Sequence, residues 1–346
     1  MNNIFNTTFK HIISTQHFNT TFSGEFLMST AMVCASHSPL LHCYSKEPEN
    51  WEALQHAYKT TAAAIEEFDP ELVIAFGSDH FNGFFLKMMP AFCVGAAAEA
   101  TNDIGGYPGS ISVPSDIAFD AVKYLRANDV DPAISYQMVV DHAFSQTIVD
   151  MLGGLENRPL IPVFINCITT PFVPFKRTRL MGEACGRFAR TLDKRVLFIG
   201  SGGMSHHPRR YYPEYGSGEE DVEAWQVSGG EKSPSLTAEQ WLKRLYVMHH
   251  EGADMIARGE RTAKDMRLNA SSDQRFLDTL ISGKLEEFDH WDQEKLVEEA
   301  GIGSMELHAW IAAAAANQEA GGSKPNVSIY TVAPEIGIAA GIVRSL

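Results

Sequence analysis

The sequence lacks both a long apolar run and an excess of basic residues. Its 346 residues include 28 Lys and Arg against 43 Asp and Glu, which gives a net charge of −15. Proteins that bind nucleic acid use a basic surface to displace counterions from phosphates, and this chain has no basic surplus. No apolar stretch approaches the roughly 20 residues that a membrane-spanning helix needs. We therefore expect neither nucleic acid nor a membrane among its partners.

Cysteine is scarce as well, and its spacing excludes the common paired motifs. Five cysteines are present, at positions 34, 43, 93, 167 and 185, and no two of them form a Cys-x-x-Cys pair. Three lie in apolar, strand-like runs, where a free cysteine behaves as a small buried hydrophobe. The pattern predicts reduced thiols, and hence a cytoplasmic protein, rather than a disulfide framework.

The first 30 residues differ in composition from the rest of the chain. Residues 1–30 are rich in Asn, Thr, Phe and Ser, with one Lys and no Arg, and they make a poor secretory signal or transit peptide. We predict a flexible N-terminal extension there. Residues 31–346 show no internal repeat and no second core, which favours one domain.

From residue 31 onward, short apolar runs alternate with segments of helical periodicity. Strands are predicted at 31–35, 72–76, 92–94, 133–140, 160–165, 196–199 and 327–332. Helices are predicted at 49–68, 115–128, 144–152, 177–191, 237–258, 273–281 and 305–317. This order indicates an α/β fold, a layered sheet flanked by helices, with a helical C-terminal part.

One long segment and several side chains are expected to lie at the surface. Residues 208–236 are polar and rich in Gly, Pro and Glu, which predicts a long surface loop. His249 and His250 lie on a charged helix and are expected to be solvated. Arg177 and Arg179 are also expected to face solvent, because arginine is seldom buried.

Four of the thirteen histidines follow strands or strand-like runs. His37, His80, His142 and His206 each come shortly after a predicted strand ends. The carboxyl ends of strands in an open α/β sheet form one rim, where ligands bind. We therefore expect these four side chains, distant in sequence, to converge at a single site.

A cluster of histidines can ligate a metal or transfer protons. Two histidines with one carboxylate suit a non-haem Fe(II) that activates oxygen. The pattern itself leaves open which histidine has which role, and which of the 43 acids would complete a metal site. The Gly200-Ser201-Gly202-Gly203 run lacks the spacing of a phosphate loop, and no Gly-x-Ser-x-Gly hydrolase elbow occurs.

Around these histidines the sequence resembles the class III extradiol dioxygenases, the superfamily of the protocatechuate 4,5-dioxygenase catalytic subunit. It is most similar to the branch that cleaves 3-(2,3-dihydroxyphenyl)propionate, from about residue 31 to about 343. The blocks that carry the resemblance are Ser36-His37-Ser38-Pro39, Asp79-His80-Phe81-Asn82-Gly83, Val140-Asp141-His142-Ala143-Phe144, Pro162-Val163-Phe164-Ile165-Asn166 and Gly200-Ser201-Gly202-Gly203-Met204-Ser205-His206. Residues 268–273 and 209–234 depart from the family's pattern.

The resemblance implies an iron site. The family's two ligand histidines fall on His37 and His80, and its ligand glutamate, in a late Gly-x-x-x-Glu-Leu-x-x-Trp helix, falls on Glu306. The implied cofactor is Fe(II). Without the resemblance, Glu306 would be taken for an ordinary solvated helix acid.

The resemblance also implies an acid–base pair. These catalytic histidines fall on His142 and His206, with His206 as the base and His142 as the acid. Asp141 would orient the neighbouring histidine or the substrate. A histidine pair suits proton transfer near neutral pH because its pKa needs little adjustment.

The implied activity of the domain at 31–346 is Fe(II)-dependent extradiol cleavage of a catechol with O2. The expected substrate is 3-(2,3-dihydroxyphenyl)propionate, the expected product a hydroxy-oxo-nonadienedioate, and the expected assembly a homo-oligomer. Three alternatives remain: another substituted catechol, a metal-dependent hydrolase, and a non-enzymatic binding protein on the same fold. The residues that bind the substrate's side-chain carboxylate are not assigned; Arg177 and Arg179 are candidates, although we expect both to face solvent.

Overall fold

The computed structural model describes residues 30–231 and 236–346, and an eight-stranded mixed sheet forms its centre. The strand order is β10-β11-β1-β9-β2-β8-β3-β6, and a second sheet has the order β5-β4-β7. The strands are β1 (Thr30–Ala35), β2 (Leu72–Gly77), β3 (Phe92–Gly95), β4 (Ala98–Ala100), β5 (Gly109–Ile111), β6 (Ala133–Ser135), β7 (Met138–Val140), β8 (Leu160–Ile165), β9 (Val196–Ser201), β10 (Asn326–Ala333) and β11 (Ile338–Arg344).

The middle of the large sheet is parallel, which brings four strand ends to one edge. Strands β1, β9, β2 and β8 run in the same direction, whereas β11 and β3 flank them in the antiparallel direction. Every residue of the four parallel strands is buried, as expected where both faces of a sheet are covered. The carboxyl ends of β1, β9 and β2 therefore lie side by side.

Helices cover both faces of this sheet. They are α1 (Trp51–Phe68), α2 (Ser115–Ala127), α3 (His142–Leu152), α4 (Phe175–Ala189), α5 (Glu220–Ser228), α6 (Ala238–Ala257), α7 (Ala270–Ser282), α8 (Gln293–Ala300) and α9 (Leu307–Glu319). Alternate residues of β1 enter opposite cores. Met32 and Cys34 pack in the core that contains α4 and α9, and Val33 packs in the core of α1 and α3.

Helix α9 lies against the sheet and α4 lies against α9 at close range. A Cβ added at Gly182 would come 2.3 Å from the carbonyl oxygen of Ala312, and one at Gly186 would come 2.3 Å from that of Ala316. Only glycine permits the two backbones to approach so closely. This packing holds α9 in place, and with it the residue that precedes the helix, Glu306.

The predicted α/β class, with a helical C-terminal part, is confirmed, but several element assignments were wrong. Residues 133–140 form two strands, β6 and β7, that belong to different sheets. The predicted surface loop at 208–236 contains helix α5 and the buried side chains of Tyr211, Tyr212 and Trp225. Strand β11 was not predicted.

Two further predictions concern the N-terminal extension and membrane-spanning helices. The flexible extension falls almost entirely on residues outside those described, since the description begins at Thr30, the first residue of β1. Among the described residues, no helix is long and apolar enough to cross a membrane.

Candidate metal centre and active site

Three of the four selected histidines lie at the carboxyl edge of the parallel strands. His37 follows β1, His80 follows β2 and His206 follows β9, and all three are buried. Because these strands are neighbours in the sheet, the residues that follow them meet at one place. The fourth, His142, reaches the same place as the first residue of α3.

Glu306 completes this group from the opposite end of the chain. It ends a short 3₁₀ helix, Ile302–Glu306, immediately before α9, and it is 0% exposed. Its carboxylate oxygens lie 3.1 Å from His80 Nε2 and 3.6 Å from His37 Nε2. Glu306 is therefore not the solvated helix acid that its residue type alone would predict.

Hydrogen bonds on the far side of each ring define the tautomers of His37 and His80. Ser201 donates its hydroxyl proton to the Ala143 carbonyl, so its oxygen accepts from His37 Nδ1 at 2.9 Å. His80 Nδ1 donates to Asp141 Oδ2 at 3.1 Å. Both rings therefore turn Nε2 toward Glu306, and a metal bound there would take the place of the protons on these nitrogens, the arrangement found where histidines ligate metals.

The charge balance at Glu306 fits a cation. Burial opposes ionisation of this carboxyl, but the His37 and His80 imidazoles outweigh it and hold its pKa well below its usual range. Two ligand atoms that share one metal at a right angle lie about 3 Å apart, close to the separations seen here. Two imidazole nitrogens and a carboxylate are the donor set of a facial-triad iron site. The residues present therefore fit a divalent metal.

Asp141 lies behind His80. It caps the N-terminus of α3 by accepting from Ala143 N at 2.9 Å, and it also accepts from the backbone N–H of His80 at 2.7 Å. Burial opposes ionisation, but the facing His80 and His142 rings lower the pKa of Asp141. The structure thus places Asp141 against His80 rather than against its neighbour in sequence, His142, or in the cavity.

His142 stacks on His80, with ring centroids 4.5 Å apart, and faces the centre of the cluster. Nitrogens of His37, His80 and His142 lie within 4.8 Å of one another, so proximity alone would also allow a three-histidine site. His142 Nδ1, however, is engaged in a short hydrogen bond with Asp103. Burial lowers the pKa of His142 to about 3, so the ring is neutral.

Asp103 is a site residue that the sequence did not reveal. It is buried in the loop after β4, 39 residues before its partner His142, and burial raises the pKa of its carboxyl. A hydrogen bond joins Asp103 Oδ2 to His142 Nδ1. Nothing in the local pattern distinguishes this aspartate from the other acids. A pairing of this kind fixes the orientation of the ring and which nitrogen faces the centre.

His206 is held by backbone contacts on both sides of its ring. Its Nδ1 donates to the Met204 carbonyl at 2.8 Å, which leaves Nε2 unprotonated, 3.9 Å from Glu306 Oε2. A Cβ at Gly203 would come 2.4 Å from the ring and one at Gly303 would come 2.1 Å from it. Two glycines thus form the slot in which the imidazole lies.

Residues 268–273, which depart from the family's pattern, support this arrangement. Asn269 caps α7 and Asp273 accepts two hydrogen bonds from Ser205, from its N–H at 2.9 Å and its hydroxyl at 2.6 Å. Because Ser205 precedes His206, the segment holds the chain on which the histidine is mounted.

A narrow cavity of about 40 Å³ opens onto all four histidines. Tyr211, Tyr212, His249 and Arg261 also line it, and the first two come from the segment that was predicted to be a surface loop. His249 is 2% exposed and stacks on Tyr211 at 3.7 Å, so the prediction that it is solvated was wrong.

The two arginines that were expected at the surface behave differently. Arg177 is exposed as predicted. Arg179 is only 8% exposed and pairs with Asp289 at 2.7 Å and with Glu183, so the prediction for it was wrong. Neither arginine lines the cavity at the histidines, whereas Arg261 does.

Comparison with known proteins identifies the family. Residues 31–339 match the family described as the catalytic LigB subunit of aromatic ring-opening dioxygenase. The chain belongs to this family. The expectation of a ring-opening dioxygenase is thereby confirmed, and such an enzyme implies a catalytic metal, an aromatic substrate and O2.

Curated relatives extend over nearly the whole chain. A Pseudomonas putida protein named 2,3-dihydroxyphenylpropionate/2,3-dihydroxicinnamic acid 1,2-dioxygenase 2 is 36% identical over 308 residues, 89% of this chain and 96% of its own. Proteins with the same name, without the final numeral, are 39% identical in Mycolicibacterium gilvum and in Rhodococcus rhodochrous. The first covers 88% of this chain and 94% of its own length, the second 85% and 90%.

Proposed function

We propose that this protein is an Fe(II)-dependent extradiol dioxygenase that cleaves 3-(2,3-dihydroxyphenyl)propionate with O2. The observation that carries the proposal is the convergence of His37 Nε2, His80 Nε2 and the buried Glu306 carboxylate at one edge of the sheet. The names of the relatives, which agree in substrate and reaction, support the choice of substrate.

His37, His80 and Glu306 would hold the iron on one face and leave the cavity side for the reactants. Bound there, Fe(II) supplies a template for catechol and O2 and the electron transfer that activates oxygen. The protein contributes orientation. Ser201 and Asp141 fix the His37 and His80 rings, and such supporting bonds typically affect metal affinity or activity by about 10- to 100-fold.

His206 is the proposed base. Its Nδ1 is committed to the Met204 carbonyl, so the free lone pair on Nε2 can accept a proton from a catechol hydroxyl. Burial lowers the pKa of His206, which keeps the ring neutral and able to accept at neutral pH. The slot between Gly203 and Gly303 holds the ring in position for this transfer.

His142 is the proposed acid. It is neutral in the resting site, so the proton that it later delivers has to be taken up after the substrate binds. Asp103, hydrogen-bonded to Nδ1, would stabilise the ring once it is charged. Catechol carries two hydroxyl protons and can supply that proton itself. The reaction breaks a ring C–C bond beside the diol, and both atoms of O2 enter the hydroxy-oxo-nonadienedioate product.

A substrate panel tests the proposal. The protein would be loaded with Fe(II) without oxygen and then mixed with 3-(2,3-dihydroxyphenyl)propionate, catechol and protocatechuate in air-saturated buffer. We expect a yellow product, one O2 consumed per ring, and the highest kcat/KM for the phenylpropionate. A preference for protocatechuate would assign another substrate, and turnover without oxygen uptake would indicate a hydrolase.

Variants of the acid–base pair test the division of roles. His142→Gln and His206→Gln should retain iron and lose activity by roughly a hundred- to ten-thousand-fold. Loss of the base should slow formation of the deprotonated catechol complex, whereas loss of the acid should divert oxygen to uncoupled products. Iron lost in proportion to activity would make that histidine a ligand instead.

Three further assignments stand as proposals. We propose a single folded domain at 31–346, a homo-oligomer and a cytoplasmic location. Light scattering on the purified protein and fractionation of cells that express it would test the last two. One cooperative unfolding transition in the metal-free protein would support the single domain, and two separated transitions would contradict it.

A further inference from the structure

Arg261 is a buried cation on the wall of the active-site cavity. It follows α6, is only 9% exposed, and lines the same cavity as the four histidines. Arginine is rarely buried to this extent unless its charge is paired. Its place in the cavity therefore calls for an anionic partner.

Its contacts within the protein do not supply one. Arg261 Nη1 donates to the Tyr211 hydroxyl at 2.6 Å, and the guanidinium lies 5.2 Å from the centre of the Tyr211 ring. Hydrogen bonds from Thr262, and then the charge of Arg261, lower the pKa of Asp265. Over residues 30–231 and 236–346, however, no carboxylate comes within 4 Å of the Arg261 guanidinium. Arg179, which is buried to a similar degree at 8% exposed, pairs with both Asp289 and Glu183. Arg261 thus differs from Arg179 in having no carboxylate paired with its guanidinium.

A continuous set of rings joins Arg261 to the metal-centre histidines. Tyr212 lies 4.9 Å from His80, and its neighbour Tyr211 contacts Arg261. Tyr211 also stacks on His249, which lines the same cavity. An aromatic ring bound at the histidines would thus have tyrosines beside it and the guanidinium farther along the same wall.

Two further arginines lie near the cavity, although the chain as a whole carries −15. Arg209 and Arg267 line an adjoining cavity of about 500 Å³ that shares His207 with the first, and Glu214 and Glu294 line it as well. Burial, and then Arg267, Arg209, His206 and Arg261, lower the pKa of His207 to about 4. Since Glu214 and Glu294 offset Arg209 and Arg267, the attraction for an anion comes from Arg261 on the wall of the first cavity.

We propose that Arg261 binds the side-chain carboxylate of the substrate and is the residue that selects a phenylpropionate over an uncharged catechol. This inference rests on the proposed function. A guanidinium offers a planar, two-pronged donor that matches a carboxylate. Two methylenes separate that carboxylate from the ring, so anchoring it at Arg261 limits the positions that the two hydroxyls can take at the histidines.

Substrate discrimination tests the inference. We would compare Arg261→Met, Arg261→Lys and the wild type on 3-(2,3-dihydroxyphenyl)propionate and on 3-propylcatechol, which has a side chain of the same length without the charge. Arg261→Met should lose about 10- to 100-fold in kcat/KM on the acid and change less than about threefold on 3-propylcatechol. Arg261→Lys should recover part of the loss. Arg258→Met, an exposed arginine paired with Glu260, is the matched control and should change neither.

A binding measurement separates this role from catalysis. Calorimetry on the metal-free protein would compare 3-phenylpropionate with 3-phenylpropanamide. The wild type should prefer the acid by about tenfold or more, and Arg261→Met should show no preference.

Several outcomes would overturn the inference. Equal losses on both catechols would make Arg261 a structural residue, and an unchanged preference for the acid would place the carboxylate elsewhere. A wild type that binds the acid but cleaves no catechol would instead refute the proposed function. Cleavage of both catechols by the wild type with no effect of Arg261→Met would refute only the role of Arg261.

Discussion

Replacing Asp103 by asparagine exchanges the carboxyl partner of His142 for an amide and keeps the size of the side chain. Asp103 Oδ2 is hydrogen-bonded to His142 Nδ1, whereas Asp103 Oδ1 is buried without a hydrogen-bond partner. The amide can either accept from Nδ1–H through its oxygen, at lower strength, or donate to Nδ1 and thereby move the ring proton to Nε2. Either arrangement weakens the imidazolium that His142 must form.

The size of the effect follows from the bond that is lost. A hydrogen bond to a charged group contributes about 1.5–3 kcal/mol, and about 1.4 kcal/mol corresponds to tenfold. We therefore expect kcat of Asp103→Asn to fall by about 10- to 100-fold. Iron content should stay the same, because Asp103 does not contact His37, His80 or Glu306.

The assay combines kcat, bound iron and the ratio of oxygen consumed to product formed. Asp150→Asn, which alters a partly buried acid on α3 that lines another groove, is the control and should retain kcat. An Asp103→Asn kcat within twofold of the wild type would refute the pairing argument. Loss of iron with activity would show that Asp103 and His142 belong to the metal site, an arrangement that proximity also allows.

Four further results are expected. Gly303→Ala should displace the His206 ring, since the new Cβ would lie 2.1 Å from it. We expect kcat to fall at least about tenfold at unchanged iron content. A normal kcat would show that the two glycines do not position the His206 ring. Because burial lowers the pKa of His206 from 6.5, kcat/KM should persist as the pH falls through 6.5 and decline only below it, and a decline beginning above 6.5 would contradict this. His308 is a buried, neutral ring that is hydrogen-bonded to Thr178 and Gln293, and burial lowers its pKa to about 3. Between about pH 6.5 and 3 the unfolded state therefore binds one more proton than the folded state. The free energy of unfolding should fall as the pH falls through that window. In urea titrations, His308→Gln should reduce the dependence of the unfolding free energy on pH by up to about 1.4 kcal/mol per pH unit. An unchanged pH dependence would show that other groups cause it. A chelator should lower Tm and abolish turnover, and Fe(II) should restore both; a metal-independent Tm would contradict a buried cation at the carboxylate.

The central strands were predictable because each is a short, continuous apolar run. Leu72–Gly77 is buried on both faces and has no polar residue to interrupt the pattern. Ile338–Arg344 was not predicted, because its Ala-Ala-Gly core has little intrinsic strand preference. Pairing with β1 on one side and β10 on the other makes it a strand. β10 ends at Ala333 and forms a hairpin with it, whereas β1 lies at the opposite end of the described sequence.

The convergence of His37, His80 and His206 followed from their positions after strands, since parallel strands share one edge. His142 follows β7 of the second sheet and reaches the site as the first residue of α3. Asp103 could not be found in this way, because its partner His142 lies on another element. His249 could have been found. Trp241, Leu245 and His249 recur every fourth residue along α6, which places the histidine on the buried stripe of the helix.

Burial of Tyr211, Tyr212 and Trp225 depends on long-range contacts that local composition does not encode. Trp225 Nε1 donates to the carbonyl of Phe81, 144 residues away, and Tyr212 lies on His80. Polar neighbours in the sequence predicted a loop, whereas the aromatic side chains form part of the active-site wall.

The most direct test of the account is Fe(II) binding and turnover measured together for His37→Ala, His80→Ala and Glu306→Ala. Each protein would be titrated anaerobically with Fe(II) and then assayed for oxygen uptake with 3-(2,3-dihydroxyphenyl)propionate. The account predicts one tightly bound iron per wild-type chain, and loss of both iron and turnover in each variant. Normal iron content and turnover in Glu306→Ala would contradict it, because the buried carboxylate between the two histidines would then have no part in the metal centre.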